Sequence, residues 1–71
     1  MMTYKLIFQI GIQEKDVDDL LSKYSKDYII HNFYPDKQIG CNRIAFAVVE
    51  MSQKDADLVS KEKTIKRIEV L

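Results

Sequence analysis

Cysteine is nearly absent from this chain of 71 residues: Cys41 stands alone. A single thiol excludes an internal disulfide and a cysteine-rich zinc site. No charge of either sign is in excess, since 11 basic residues balance 11 acidic ones. That balance weakens the electrostatic case for nucleic acid or an anionic membrane surface as partner. No apolar run approaches the roughly 20 residues of a membrane span. The opening Met1-Met2-Thr3-Tyr4-Lys5 lacks the long apolar segment of a signal peptide. The two glycines, Gly11 and Gly40, are isolated and make no phosphate loop. His31 has no serine or carboxylate at a motif spacing, and Cys41 has no neighbouring base to activate it. A structural or partly exposed histidine and an inert thiol are expected, with no catalytic residue, metal or cofactor.

The hydrophobic fraction of 46% is enough for one small core. Residues 1–71 are expected to form a single domain with only a few kcal/mol of margin and no covalent staple. The chain is expected to be either cytosolic or a piece cut from a longer secreted precursor.

Residues Tyr4 to Ile10 alternate, with Tyr4, Leu6, Phe8 and Ile10 on one side and Lys5, Ile7 and Gln9 on the other. Period two with aromatic and branched residues predicts a strand, ended by Gly11. From about Gln13 the period changes. Val17, Leu20, Leu21 and Tyr24 make one helical stripe, with Glu14, Asp16, Asp18 and Asp19 toward its start and Lys23 and Lys26 at its end, as the helix dipole favours. Tyr28 to Tyr34 predicts a second strand, stopped by Pro35-Asp36, and a loop runs through Gly40 to Asn42. Ile44 to Met51 predicts the third strand. Ser52, with Asp55 three residues on, resembles a capping box for a helix to about Lys63, with Ala56 and Val59 inward and Leu58 at the border. Ile65 to Val70 predicts the last strand.

This order, with right-handed crossovers putting both helices on one side, specifies an α+β fold. It is the ferredoxin-like βαββαβ plait, a four-stranded antiparallel sheet with two helices on one face. Strict alternation places Tyr4, Leu6, Phe8, Ile29, Phe33, Ala45, Ala47, Val49, Met51, Ile68 and Val70 beneath the helices. The open face then carries Lys5, Ile7, Gln9, Ile30, Asn32, Tyr34, Ile44, Phe46, Val48, Arg67, Glu69 and Leu71. Its centre, Ile7, Ile30, Tyr34, Phe46 and Val48, is more apolar than a sheet facing water requires. Either a tolerated apolar face or a partner surface accounts for it.

The chain resembles the subtilisin propeptides and the free-standing inhibitors of subtilisin-like serine proteases in the same family. The family pattern is a Gly-Phe-Ala-Ala-like strand, a Leu-Ser/Thr cap, an acidic helix and a Val-x-x-Val-Glu strand. Ala45 to Val49, Met51-Ser52, Lys54 to Lys61 and Ile65-Lys66-Arg67-Ile68-Glu69 fill those places. Tyr4 to Phe8 resembles a Tyr-x-Val-x-Phe first strand, and Ile29 to Phe33 a Val-x-x-x-Phe second strand. The resemblance implies an inhibitor or folding chaperone of a subtilisin-like serine protease, not an enzyme. It also implies secretion if the chain is a cleaved propeptide and a cytoplasmic location if it is a free-standing inhibitor. In such inhibitors the open face packs on two surface helices of the protease, and carboxylates cap their N-termini. Protease-binding residues are thus expected at Ile30, Tyr34, Phe46, Val48, Glu69 and Leu71, with Glu50 a weaker helix cap, and the free chain is expected to be a monomer. The family usually carries several residues beyond its last strand that enter the protease cleft. Only Val70 and Leu71 follow Glu69, so either the chain is truncated or engineered, or inhibition relies on the sheet face.

Plaits also serve other ends. An RNA-binding plait needs a basic-Gly-aromatic third strand, and Arg43-Ile44-Ala45-Phe46 supplies one aromatic and no glycine. A heavy-metal plait needs a Cys-x-x-Cys loop, which Gly11-Ile12-Gln13-Glu14 lacks. Met51 to Val70 also resembles the plait protein of the small ribosomal subunit, against which the charge balance argues. The alternative that remains is a regulatory or interaction plait binding a small ligand or a second copy of itself.

Overall fold

The computed structural model describes residues 1–9, 12–35 and 43–71. Its elements are β1 (Met2–Phe8), α1 (Glu14–Tyr24), β2 (Ile29–Pro35), β3 (Ile44–Met51), α2 (Gln53–Val59) and β4 (Ile65–Val70). The strands form one antiparallel sheet in the order β2-β3-β1-β4. This is the ferredoxin-like α+β plait. The predicted end of the first strand at Ile10 and Gly11, and the loop holding Gly40 and Cys41, lie outside the described residues.

Each helix starts with its own cap. The Ser52 hydroxyl accepts the Asp55 N–H at 3.2 Å, satisfying one of the orphan donors at the start of α2. At α1 the Gln13 N–H donates to the Asp16 carboxylate at 3.1 Å. Val17, Leu20 and Leu21 then turn inward from α1, and Ala56 and Val59 from α2. They cover one sheet face, where Tyr4, Leu6, Phe8, Ala47, Val49 and Met51 are buried.

The second helix is shorter than its sequence suggests, ending at Val59 rather than near Lys63. Beyond Val59 the run Ser60-Lys61-Glu62-Lys63-Thr64 has no apolar side chain to bury, so packing sustains no further turn. The Ser60 hydroxyl instead donates to the Asp57 carbonyl at 2.6 Å. Tighter turns, Lys61 N–H to Leu58 O and Glu62 N–H to Val59 O, lead the chain into β4. In this connection Glu62 accepts the Tyr24 hydroxyl from the end of α1, clasping the two helical crossovers together.

Three strand irregularities redistribute side chains between the faces. In β2, Ile30 pairs with Val49 but Asn32 pairs with Val48, so His31 is an extra residue. In β3, Phe46 pairs with Tyr34 but Ile44 pairs with Pro35, so Ala45 is extra. In β4, Arg67 pairs with Ile7 but Ile65 pairs with Phe8, so Lys66 is extra. Each bulge reverses the parity on its far side. Ile30, expected on the open face, therefore packs against the core, and Ile29, expected beneath the helices, is exposed. Ile44, also expected on the open face, is buried, its N–H bonded to the Ile12 carbonyl at 2.8 Å. Ala45 is half-buried within its bulge. Val70 keeps the helix side but sits exposed at the sheet edge. Pro35, expected to stop the second strand, is its last residue.

Leu21 is fully buried in the small core, so Leu21→Ala should lower unfolding free energy by about 2–5 kcal/mol in a denaturant titration, and Ser52→Ala by about 1 kcal/mol. The bond to Glu62 raises the Tyr24 phenol above its ordinary value. A raised folded-state value means that this contribution is complete below about pH 10 and is lost as pH rises through the folded value. Tyr24→Phe should flatten the alkaline loss of stability seen in denaturant titrations across that range.

Candidate functional site: the open sheet face

Neither α1 nor α2 covers the other face of the sheet. Directly opposed residues share a face, so the register defines it. β1 contributes Thr3, Lys5 and Ile7, β3 contributes Phe46, Val48 and Glu50, and β4 contributes Arg67 and Glu69. From β2 come Ile29, Asn32 and Tyr34. Tyr34, Phe46, Val48 and Glu69 thus stand on one surface. Ile30 does not join them, because the bulge at His31 turns it inward. Leu71 is 65% exposed, and its N–H bonds the Thr3 carbonyl at 2.9 Å, continuing the ladder beside β1.

The aromatic centre is built from three strands. The Tyr34 and Phe46 rings stack with centroids 4.4 Å apart and planes 14° from parallel. From the β1 side the Lys5 ammonium lies 4.3 Å from the Phe46 centroid, in reach of the ring's negative face. Ile7 and Val48 are half-buried beside them, directly opposite Phe46 and Lys5 across β1 and β3. The rings stack on each other rather than standing apart as a platform for bases, as single-stranded nucleic acid would need.

Charged pairs frame this centre. On the β4 side the Arg67 Nε donates to Glu69 Oε2 at 2.8 Å. That hydrogen bond is the main reason the Glu69 carboxyl titrates below the usual range; burial opposes it, and the positive charges of Arg67 and then Lys5 add to it. Glu69 is therefore a firmly ionised acceptor near neutral pH. On the β2 side His31 Nε2 lies 3.1 Å from Glu50 Oε1. The bulge brings this pair together by setting His31 on the same side as Glu50, an encounter that strict alternation hides.

The missed signal is visible in retrospect. Inward apolar residues flanking each bulge are spaced by three rather than two: Ile30 and Phe33, Ile44 and Ala47, Ile65 and Ile68. An i, i+3 spacing inside a strand marks an extra residue.

A separate cleft of about 320 Å³ lies beside α1, with Ile12 and Leu20 as its apolar part and Asp16, Asp19, Lys23 and Glu62 among its polar lining. Among the described residues no group of three or more His, Cys, Asp or Glu is placed to hold a metal ion, and no helix is long and apolar enough to cross a membrane. Comparison with family models, with curated proteins and with solved structures gives no match.

The electrostatic origin of the Glu69 shift is testable by side-chain carboxyl NMR. Arg67→Ala should move the Glu69 midpoint up toward the ordinary glutamate value. Because the folded value is lowered, the pair stabilises the protein above the ordinary carboxylate range and loses that effect as pH falls through the folded value. The acid limb of stability should therefore soften in the variant.

Proposed function

We propose that this chain is a protein-docking plait that acts as an inhibitor or folding chaperone of a subtilisin-like serine protease, through the open sheet face. One observation carries the reading. The half-buried centre of Ile7, Phe46 and Val48, extended by Tyr34, lies on the face away from α1 and α2. An apolar patch ringed by charge on a small domain is the usual anatomy of a partner surface. The resemblance of Ala45 to Val49 and of Ile65 to Glu69 to the propeptide strands selects the partner class. Glu69 is held ionised on the same face, which suits a carboxylate meant to cap an exposed helix N-terminus. Tyr34, Phe46 and Val48 would make the central contacts and Glu69 the polar one. Ile30 would act only from beneath, by supporting β2.

A regulatory plait that binds a small ligand is the second reading, and the cleft beside α1 is the observation in its favour. The open face favours the first, because Ile7, Phe46 and Val48 join Tyr34 in one patch spanning three strands, while the apolar part of the cleft is Ile12 and Leu20 set among charges of both signs.

Inhibition of a purified subtilisin-like protease distinguishes them. The chain should slow hydrolysis of a peptide substrate and survive the incubation. Phe46→Asp and Val48→Asp should each weaken inhibition by about 2 kcal/mol or more, roughly thirtyfold. Rapid digestion of the parent chain with no slowing of hydrolysis overturns the reading.

A further inference from the structure

The two edges of the sheet differ. The β2 edge carries the His31 bulge and ends in Pro35, which has no N–H to offer. Both features blunt an edge against pairing. The β4 edge has its bulge at Lys66, near its start, and runs regularly from Arg67 to Val70.

The hydrogen-bond phase of β4 fixes what that edge presents. The Leu71 N–H bonds to Thr3 O. In an antiparallel ladder the bonded pairs then recur at every second residue, at Glu69 with Lys5 and at Arg67 with Ile7. The backbone N–H and C=O groups of Ile68 and Val70 must point the other way, out of the sheet. Among the described strands none lies beyond β4 to bond them.

The side chains make this edge complementary to itself. Setting two β4 strands antiparallel about a two-fold axis at Ile68 pairs Ile68 with Ile68, using outward-facing groups on both. In that register Arg67 of each chain stands directly opposite Glu69 of the other, on the open face. A shift of two residues either way loses this match. Beneath the strands, Ile68 and the 60%-exposed Val70 line a groove of about 290 Å³ beside Gln53 and Ala56 of α2. The two grooves would meet along the seam, where each receives apolar side chains of the other chain. Lys66 and Arg67 disfavour a strand that sets cations opposite them, and a second β4 avoids this by setting Glu69 opposite Arg67.

We propose that the free edge of β4 pairs antiparallel with β4 of a second copy, centred on Ile68, to give a two-fold dimer with one continuous eight-stranded sheet. This departs from the monomer expected from the sequence. It does not rest on the protease reading, because the open faces of both copies stay uncovered.

Sedimentation velocity of the full chain across a hundredfold range of concentration tests it, with circular dichroism showing that each variant is folded. The parent should show a reversible monomer–dimer equilibrium. Arg67→Glu places like charges opposite each other twice, as does Glu69→Arg. Each variant alone should dimerise about tenfold more weakly. Mixed in equal amounts, the two should associate at least as tightly as the parent, because every facing pair is again of opposite sign. In hydrogen exchange the Ile68 and Val70 amides should slow as concentration rises. A chain that stays monomeric throughout overturns the proposal. So does a dimer unmoved by Arg67→Glu and Glu69→Arg, and so does one lost on Phe46→Asp alone, which would assign pairing to the open face.

Discussion

The pairing of β1 with β3 is the constraint on which the rest of this fold depends. These two central strands run in uninterrupted register from Met2 with Met51 to Ile7 with Phe46. On one side they deliver Tyr4, Leu6, Ala47, Val49 and Met51 to the core. On the other, the same ladder sets Lys5 against Val48 and Ile7 against Phe46. Core and candidate surface are therefore two faces of one set of hydrogen bonds. A one-residue slip of β1 against β3 would put Leu6 in water and bring Lys5 under the helices. The burial of Val17, Leu21 and Val59 against the inner face resists that slip. All three are completely enclosed.

The outer strands are held differently, and the sequence was legible in proportion. Periodicity located all six elements, because Val17, Leu20 and Leu21 fit only a helix and Tyr4 to Phe8 only a strand. The N-cap at Ser52 follows from local chemistry and needs no tertiary information. Face assignments in β1 and in most of β3 follow from alternation. They fail at Ile29, Ile30 and Ile44, where an extra residue shifts the phase. A bulge exists only relative to a partner strand, so the propensities of His31 or Ala45 do not announce it. Four residues of the candidate surface, Tyr34, Phe46, Val48 and Glu69, were readable because they lie where the phase is regular. The pairing of His31 with Glu50 was not, because it is created by the bulge.

A domain of this size has little stability to spare. A partner that binds only the folded form raises its stability by mass action. The open face is suited to such coupling, since the Tyr34–Phe46 stack, Lys5 and Val48 span three strands and exist as a surface only when the sheet is assembled. The clasp from Tyr24 to Glu62 works on the opposite side of the molecule, tying the crossovers that hold the sheet order together.

The extra residues at His31, Ala45 and Lys66 have a consequence for how the sequence can vary in length. Each sits outside the regular pairing, so a relative lacking it would keep every inward side chain of that strand where it is. Single-residue insertions and deletions, usually confined to loops, thus have three permitted places within strands of this plait. An alignment that refuses gaps inside strands would carry the outer part of β2 or β4 to the wrong face, turning core positions into apparent surface ones.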